Sequence, residues 1–138
     1  MSIANDYSPE INLIAEDQLI ICDIKPSVHV GFLQADLIYQ FAREHFDDDF
    51  GLIQIRNGNN SVDPDLYFRL QKNLPGLRAC AVIANSLTVK EFFAAEQLFI
   101  DELGIQCKVF GNYPEAEIWV KTIINDYSDL PITTYRAN

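Results

Sequence analysis

The chain is poor in the side chains that most often carry chemistry. It has two histidines, three cysteines and one tryptophan in 138 residues. His29 and His45 would lie about four and a half turns apart on one helix at about 3.6 residues per turn, too far to share a metal. Neither has a Ser or Cys beside it in an elbow or triad pattern. Cys22, Cys80 and Cys107 are odd in number, lack the spacing of metal ligands, and each sits in an apolar, strand-like run. They read as buried free thiols in a reducing cytoplasm. Gly58 in "NGNN" stands alone, with no Lys-Ser/Thr after it, which excludes a nucleotide fingerprint. The acidic run Asp47, Asp48 and Asp49 lacks the alternating ligands of a calcium loop and reads as a solvated turn.

Positive charge is also scarce. Ten basic residues face 20 acidic ones, a formal net charge of −10, and no run of Lys or Arg occurs. Phosphate contacts need such residues, so nucleic acid and anionic lipid surfaces are poor partners. No apolar run approaches the roughly 18 residues that span a bilayer. The opening "MSIANDYSPE" lacks the basic and apolar regions of a signal peptide. The expectation is a cytoplasmic protein with no membrane or nucleic-acid partner, no cofactor and no metal.

What the chain has is core. Apolar residues make up 49%, with nine Phe and six Tyr, enough for one domain without disulfides or metal. Residues 1–9 read as a flexible lead-in and 127–138 as a loosely packed tail. "INLIAEDQLIICDIK" predicts two strands joined at Glu16-Asp17, the second nearly all apolar. Ser27 is a candidate N-cap for a helix to about Phe46, with Val30, Leu33, Leu37, Ile38 and Phe41 as its apolar stripe. Residues 52–55 form a short strand, and "RNGNNSVD" a loop. Asp63 caps a helix that has Pro64 at its first position and Leu66, Tyr67, Leu70 and Leu74 on one face. "LRACAVIAN" is apolar on both faces, as a central parallel strand would be. Thr88 and Glu91 suit a capping box for a helix with Phe92, Ala95, Phe99 and Leu103 on one face and Gly104 as its stop. "IQCKVF" is the last strand. Asn112 and Glu115 cap a final helix, where Ala116, Trp119, Val120 and Ile123 recur at helical spacing. The order β-β-α-β-α-β-α-β-α predicts an α/β fold: a mixed, mostly parallel sheet with an N-terminal antiparallel hairpin and helices packed on it.

The closing segment has a family likeness. Phe110 ending a strand, the pair Glu115-Ala116 and the step Trp119-Val120 resemble the SpoIIAA-like branch of the STAS superfamily, and residues 51–124 are similar in kind. The resemblance implies a small non-enzymatic domain that works by binding proteins, with relatives that hold small or lipid-like ligands. In the anti-sigma-factor antagonists of that branch a phosphorylated Ser follows Asp and precedes Ser/Thr and Gly. Here Asn60 precedes Ser61 and no Gly follows, which puts phosphorylation of Ser61 in doubt.

Candidate binding residues come from position. Open α/β sheets bind ligands at the carboxyl ends of their strands. Arg56, Asn57, Asn60 and Ser61 follow one such end, and Asn85 and Ser86 another. They could form a polar rim for a small anion or peptide, or simply cap helices and satisfy loop backbone. Two functions follow: a protein-binding module, with a homodimer among its forms, using the edge hairpin or an amphipathic helix face, or a carrier with an apolar cavity among Phe92, Phe93 and Phe99 opening near Arg56 or Asn85. The first predicts an exposed apolar patch on one helix face and no deep pocket. An enzyme is not expected, because no titratable groups converge in the sequence pattern.

Overall fold

The computed structural model describes residues 3–7 and 10–128. In chain order the elements are β1 (Ile3–Tyr7), β2 (Ile11–Glu16), β3 (Leu19–Ile24), β4 (His29–Val30), α1 (Phe32–His45), β5 (Phe50–Arg56), β6 (Ser61–Val62), α2 (Asp65–Asn73), β7 (Leu77–Ala84), α3 (Leu87–Leu103), β8 (Cys107–Phe110) and α4 (Tyr113–Ser128). Six strands form one sheet in the order β1-β2-β3-β5-β7-β8, and β4 pairs with β6 separately. Pairings β1–β2 and β2–β3 are antiparallel, and β3–β5, β5–β7 and β7–β8 are parallel. The expected α/β class and mixed sheet are found. The hairpin turns at Asp17-Gln18, where Asp17 takes a positive φ of 54° that Asp tolerates better than most residues.

Alternation along the strands divides the molecule into layers. Ile20, Cys22 and Ile24 of β3, Phe50 and Leu52 of β5, and Cys80 and Val82 of β7 share one face with buried residues of α1, α2 and α3. Three parallel crossovers running in one direction across a sheet place their helices on one side. Leu19, Ile53, Ala79, Ala81 and Ile83 occupy the other face, covered by Ala116, Val120 and Ile124 of α4. Gly51 admits α4 closely: a Cβ there would lie 2.1 Å from Val120 Cγ1.

Several expectations change in detail. Residues 3–7, expected within a flexible lead-in, form the edge strand β1 against β2. The tail begins later than expected, since α4 runs to Ser128, and the rest of the 127–138 segment lies outside the described residues. Ser27 does not cap α1. It turns the chain at φ 67°, β4 follows, and Gly31 stands at the N-cap. The buried stripe of α1 is Ala35, Ile38, Phe41 and Ala42, while Leu33 and Leu37 face outward. His29 lies on β4 rather than in a helical turn, and His45 ends α1 with its ring 4.5 Å from that of Phe41.

The α3 stripe is also displaced by about a residue. Its cap is Ser86, whose hydroxyl accepts from Val89 N at 3.2 Å, and its buried face is Val89, Phe93, Glu96 and Ile100. A glutamate at the centre of that face is the reason an apolar-periodicity reading chose the neighbouring stripe. Other signals hold: Gly104 ends α3 with φ 72°, and Asn112 Oδ1 accepts from Glu115 N at 3.0 Å. α2 starts one residue later than expected, with Pro64 and not Asp63 at its N-cap, though Asp63 Oδ1 still accepts from Asp65 N at 3.0 Å. Trp119 packs at the margin of the α4 layer, half-buried, with its ring 5.5 Å from Phe110.

Candidate functional site

The strand ends do bring the rim residues near one another, but their hydrogen bonds tie loops together. Asn57 follows β5 and donates to Asp23 Oδ1 and to Ile24 O, both at 3.0 Å. Asn85 Nδ2 reaches Asn57 Oδ1 at 3.4 Å, and Ser86 Oγ donates to Gly58 O at 2.8 Å. Asn60 is buried and its amide donates to Ile24 O at 3.2 Å. Ser61 sits apart on β6, its Oγ 2.7 Å from His29 Nδ1 on β4. This knot satisfies backbone left open where β3, β5 and β7 end.

Arg56 is placed differently from a rim residue. Its side chain is wholly buried on the face covered by α2 and α3. Strand alternation explains this, because Leu52, Gln54 and Arg56 share one side of β5. Nη1 donates to Glu96 Oε1 at 2.8 Å, Nε to Asn60 Oδ1 at 3.3 Å and Nη2 to Asn60 O at 3.4 Å. A guanidinium held this way is not offered to an anion arriving from solvent.

A polar chain continues inward from this pair. Tyr67 of α2 donates its hydroxyl to the same Glu96 Oε1 at 2.7 Å. Gln54 Nε2 lies 3.3 Å from Tyr67 Oη and 3.4 Å from Cys80 Sγ. Burial, then the Glu96 carboxylate, pushes the Tyr67 hydroxyl well above the usual tyrosine value, so it stays a donor at neutral pH. Cys107, beside Cys80 on β8, is pushed up by its hydrogen bond to Cys80 and then by burial. Cys22 is pushed up mainly by burial. Sequence reasoning missed Glu96, Tyr67 and Gln54 as a unit. The available signal was two polar residues, Gln54 and Arg56, on the same side of an otherwise apolar strand.

One cleft reaches this chain. It has a volume of about 380 Å³ and lies between α2, the start of β7 and the turn after α3, with Leu70, Leu74, Arg78 and Gln106 among its walls and Tyr67 and Cys80 reaching it. Arg78 Nε donates to Asp49 Oδ1 at 2.8 Å, so part of the acidic loop is bound to β7. The cleft is not the cavity expected among the phenylalanines near Arg56 or Asn85. Phe93 is packed in the core, and Phe92 and Phe99 are on the outside of α3.

The outer surface of α3 exposes large apolar side chains. Leu87 is 72% exposed and Leu98 73%, while Phe92 and Phe99 are 41% and 37% exposed. At 100° per residue Leu87 and Leu98 fall on one line, with Glu91 and Glu102 beside them. Among the described residues no cluster of three His, Cys, Asp or Glu could hold a metal ion, and no helix is long and apolar enough to cross a membrane.

Comparisons of this chain with protein-family models, with curated proteins and with solved structures found no match.

Proposed function

We propose that this chain is a non-enzymatic binding module that meets a protein partner through the outer face of α3. The observation that carries the reading is the exposure of Leu87 and Leu98 along one line of α3, with Phe92 and Phe99 partly exposed on its flank. Large apolar side chains gathered on one exterior are characteristic of interaction surfaces, whereas single ones are ordinary. The hydrogen bonding of the rim agrees with it, since the loop asparagines and Ser86 are engaged with backbone and with one another and Ser61 with His29. Kinship with the SpoIIAA-like branch of the STAS superfamily is part of the same proposal, as are a cytoplasmic setting and a homodimer as one form of the contact. The element order and the closing helix that carries Trp119 support it.

The test compares wild type with a Leu87→Glu/Leu98→Glu variant, both shown folded by circular dichroism. Oligomeric state is measured by light scattering, and partners are captured from the native cell. Loss of self-association or of a captured protein in the variant supports the reading. Identical behaviour of the two proteins rejects α3 as the contact.

A second reading, a carrier of a small molecule, is favoured by the cleft beside Tyr67 and Cys80, whose volume is within the range of ligand sites. Native mass spectrometry of gently purified protein tests it: a retained small molecule that Leu70→Trp displaces supports the carrier, and a bare mass rejects it.

A further inference from the structure

Cys80 and Cys107 are register partners on the adjacent parallel strands β7 and β8. Register partners on neighbouring strands point to the same face, and both cysteines belong to the layer beneath the three helices. Neighbouring strands lie about 4.8 Å apart, and disulfides bridge Cα atoms roughly 4.4–6.8 Å apart. The thiols are free. Cys80 Sγ also receives Gln54 Nε2 at 3.4 Å, and Cys80 forms part of the wall of the cleft. Cys107 is half-buried on the edge strand. Cys22 is two strands away on β3 and wholly buried.

We infer that Cys80 and Cys107 form a thiol pair that a small hydroperoxide entering the cleft converts into an intramolecular disulfide. Cys80 sulfur attacks the near oxygen of the peroxide. The O–O bond breaks, an alcohol or water leaves with a proton, and Cys80 becomes a sulfenic acid, oxidised by two electrons. Cys107 sulfur then attacks Cys80 sulfur, the S–O bond breaks, and the hydroxyl leaves as water with the thiol proton of Cys107. The direct register pairing of the two residues is what places the sulfurs to form the new bond.

The bond would have a defined structural effect. Helix α3, Leu87–Leu103, lies wholly between the two cysteines in the chain. Closing the pair encloses that helix in a covalent loop and ties the edge strand β8 to β7. Restriction of the unfolded chain raises the thermal midpoint of the oxidised form.

Fully reduced protein is treated with hydrogen peroxide under native conditions and analysed by intact mass and by peptide mapping after alkylation. The expected result is a monomer lighter by about 2 Da, a Cys80–Cys107 crosslinked peptide, Cys22 alkylated, and a raised melting temperature that dithiothreitol reverses. In Cys107→Ser, an edge-strand change checked for folding by circular dichroism, the crosslink is lost and dimedone traps a sulfenic acid at Cys80. No loss of mass in wild type, a bridge to Cys22, or a bridge between two molecules would each overturn the inference.

Discussion

Arg56 Nη1 stands 2.8 Å from Glu96 Oε1 inside the layer between sheet and helices, with side chains 0% and 4% exposed. One comes from the central strand β5 and the other from α3, so the pair joins the sheet to the helix that carries the exposed leucines. Two buried charges gain little over an apolar pair of the same volume, because their desolvation offsets their attraction. Breaking the pair is another matter.

Glu96→Ala should therefore destabilise the fold by about 3–5 kcal/mol, since it leaves the Arg56 guanidinium buried without its carboxylate. Chemical denaturation monitored by the single tryptophan measures this. An Arg56→Met/Glu96→Leu double variant should recover most of the loss. Equal instability of the single and double variants would show that the pair is not the source.

Gly51 is set by contact rather than by backbone angle. An alanine Cβ there would meet Val120 Cγ1 at 2.1 Å. Gly51→Ala should cost about 1–3 kcal/mol by overpacking, and Val120→Ala in the same chain should relieve part of it. A double-mutant cycle with no coupling between the two sites would place α4 elsewhere.

Phe110→Ala removes a ring centred 5.5 Å from Trp119. The loss of the pair's own interaction is about 0.5–1.5 kcal/mol, beyond the area buried. Emission from Trp119 should shift to the red and become more open to iodide quenching. Unchanged emission would mean the two rings do not shield each other in solution.

Alkaline pH should weaken the fold before the chain is otherwise perturbed. Burial, then the Glu117 carboxylate, raises Tyr113 from the ordinary 10.0 to about 12, and Tyr113 Oη donates to Glu117 Oε2 at 3.3 Å. Tyr67 moves in the same direction. The folded state then holds protons that the unfolded chain has released, so this stabilisation is complete below pH 10 and is lost as the pH climbs towards 12. Denaturation midpoints from pH 8 upward check the sign, and Tyr113→Phe should flatten part of the slope. A midpoint that rises over this interval would contradict it.

Much of the architecture was legible before any coordinates. A turn between the first two strands, read at Glu16-Asp17 and found one residue on, the stop at Gly104 and the cap at Asn112 are local events, settled by backbone preference or a side-chain hydrogen bond. The same local reasoning failed where partners came from far along the chain. Strand β1 was hidden in a polar N-terminus, because pairing with β2 and not its own pattern makes it a strand. His29 and Val30 leave the expected helix because Ser61 and Val62, over 30 residues on, pair with them.

The candidate site divides along the same line. Periodicity and composition determined that strands and helices alternate and that a mixed sheet is covered on both faces, since burying apolar surface at spacings of two and 3.6 residues needs no knowledge of distant contacts. Only the tertiary structure decided that Arg56 points inward to Glu96 and not outward to a ligand, that Phe92 and Phe99 stay at the surface, and that Cys80 meets Cys107. A charge is read as exposed until its partner is found. That partner lies 40 residues away in the sequence, where no local pattern can register it.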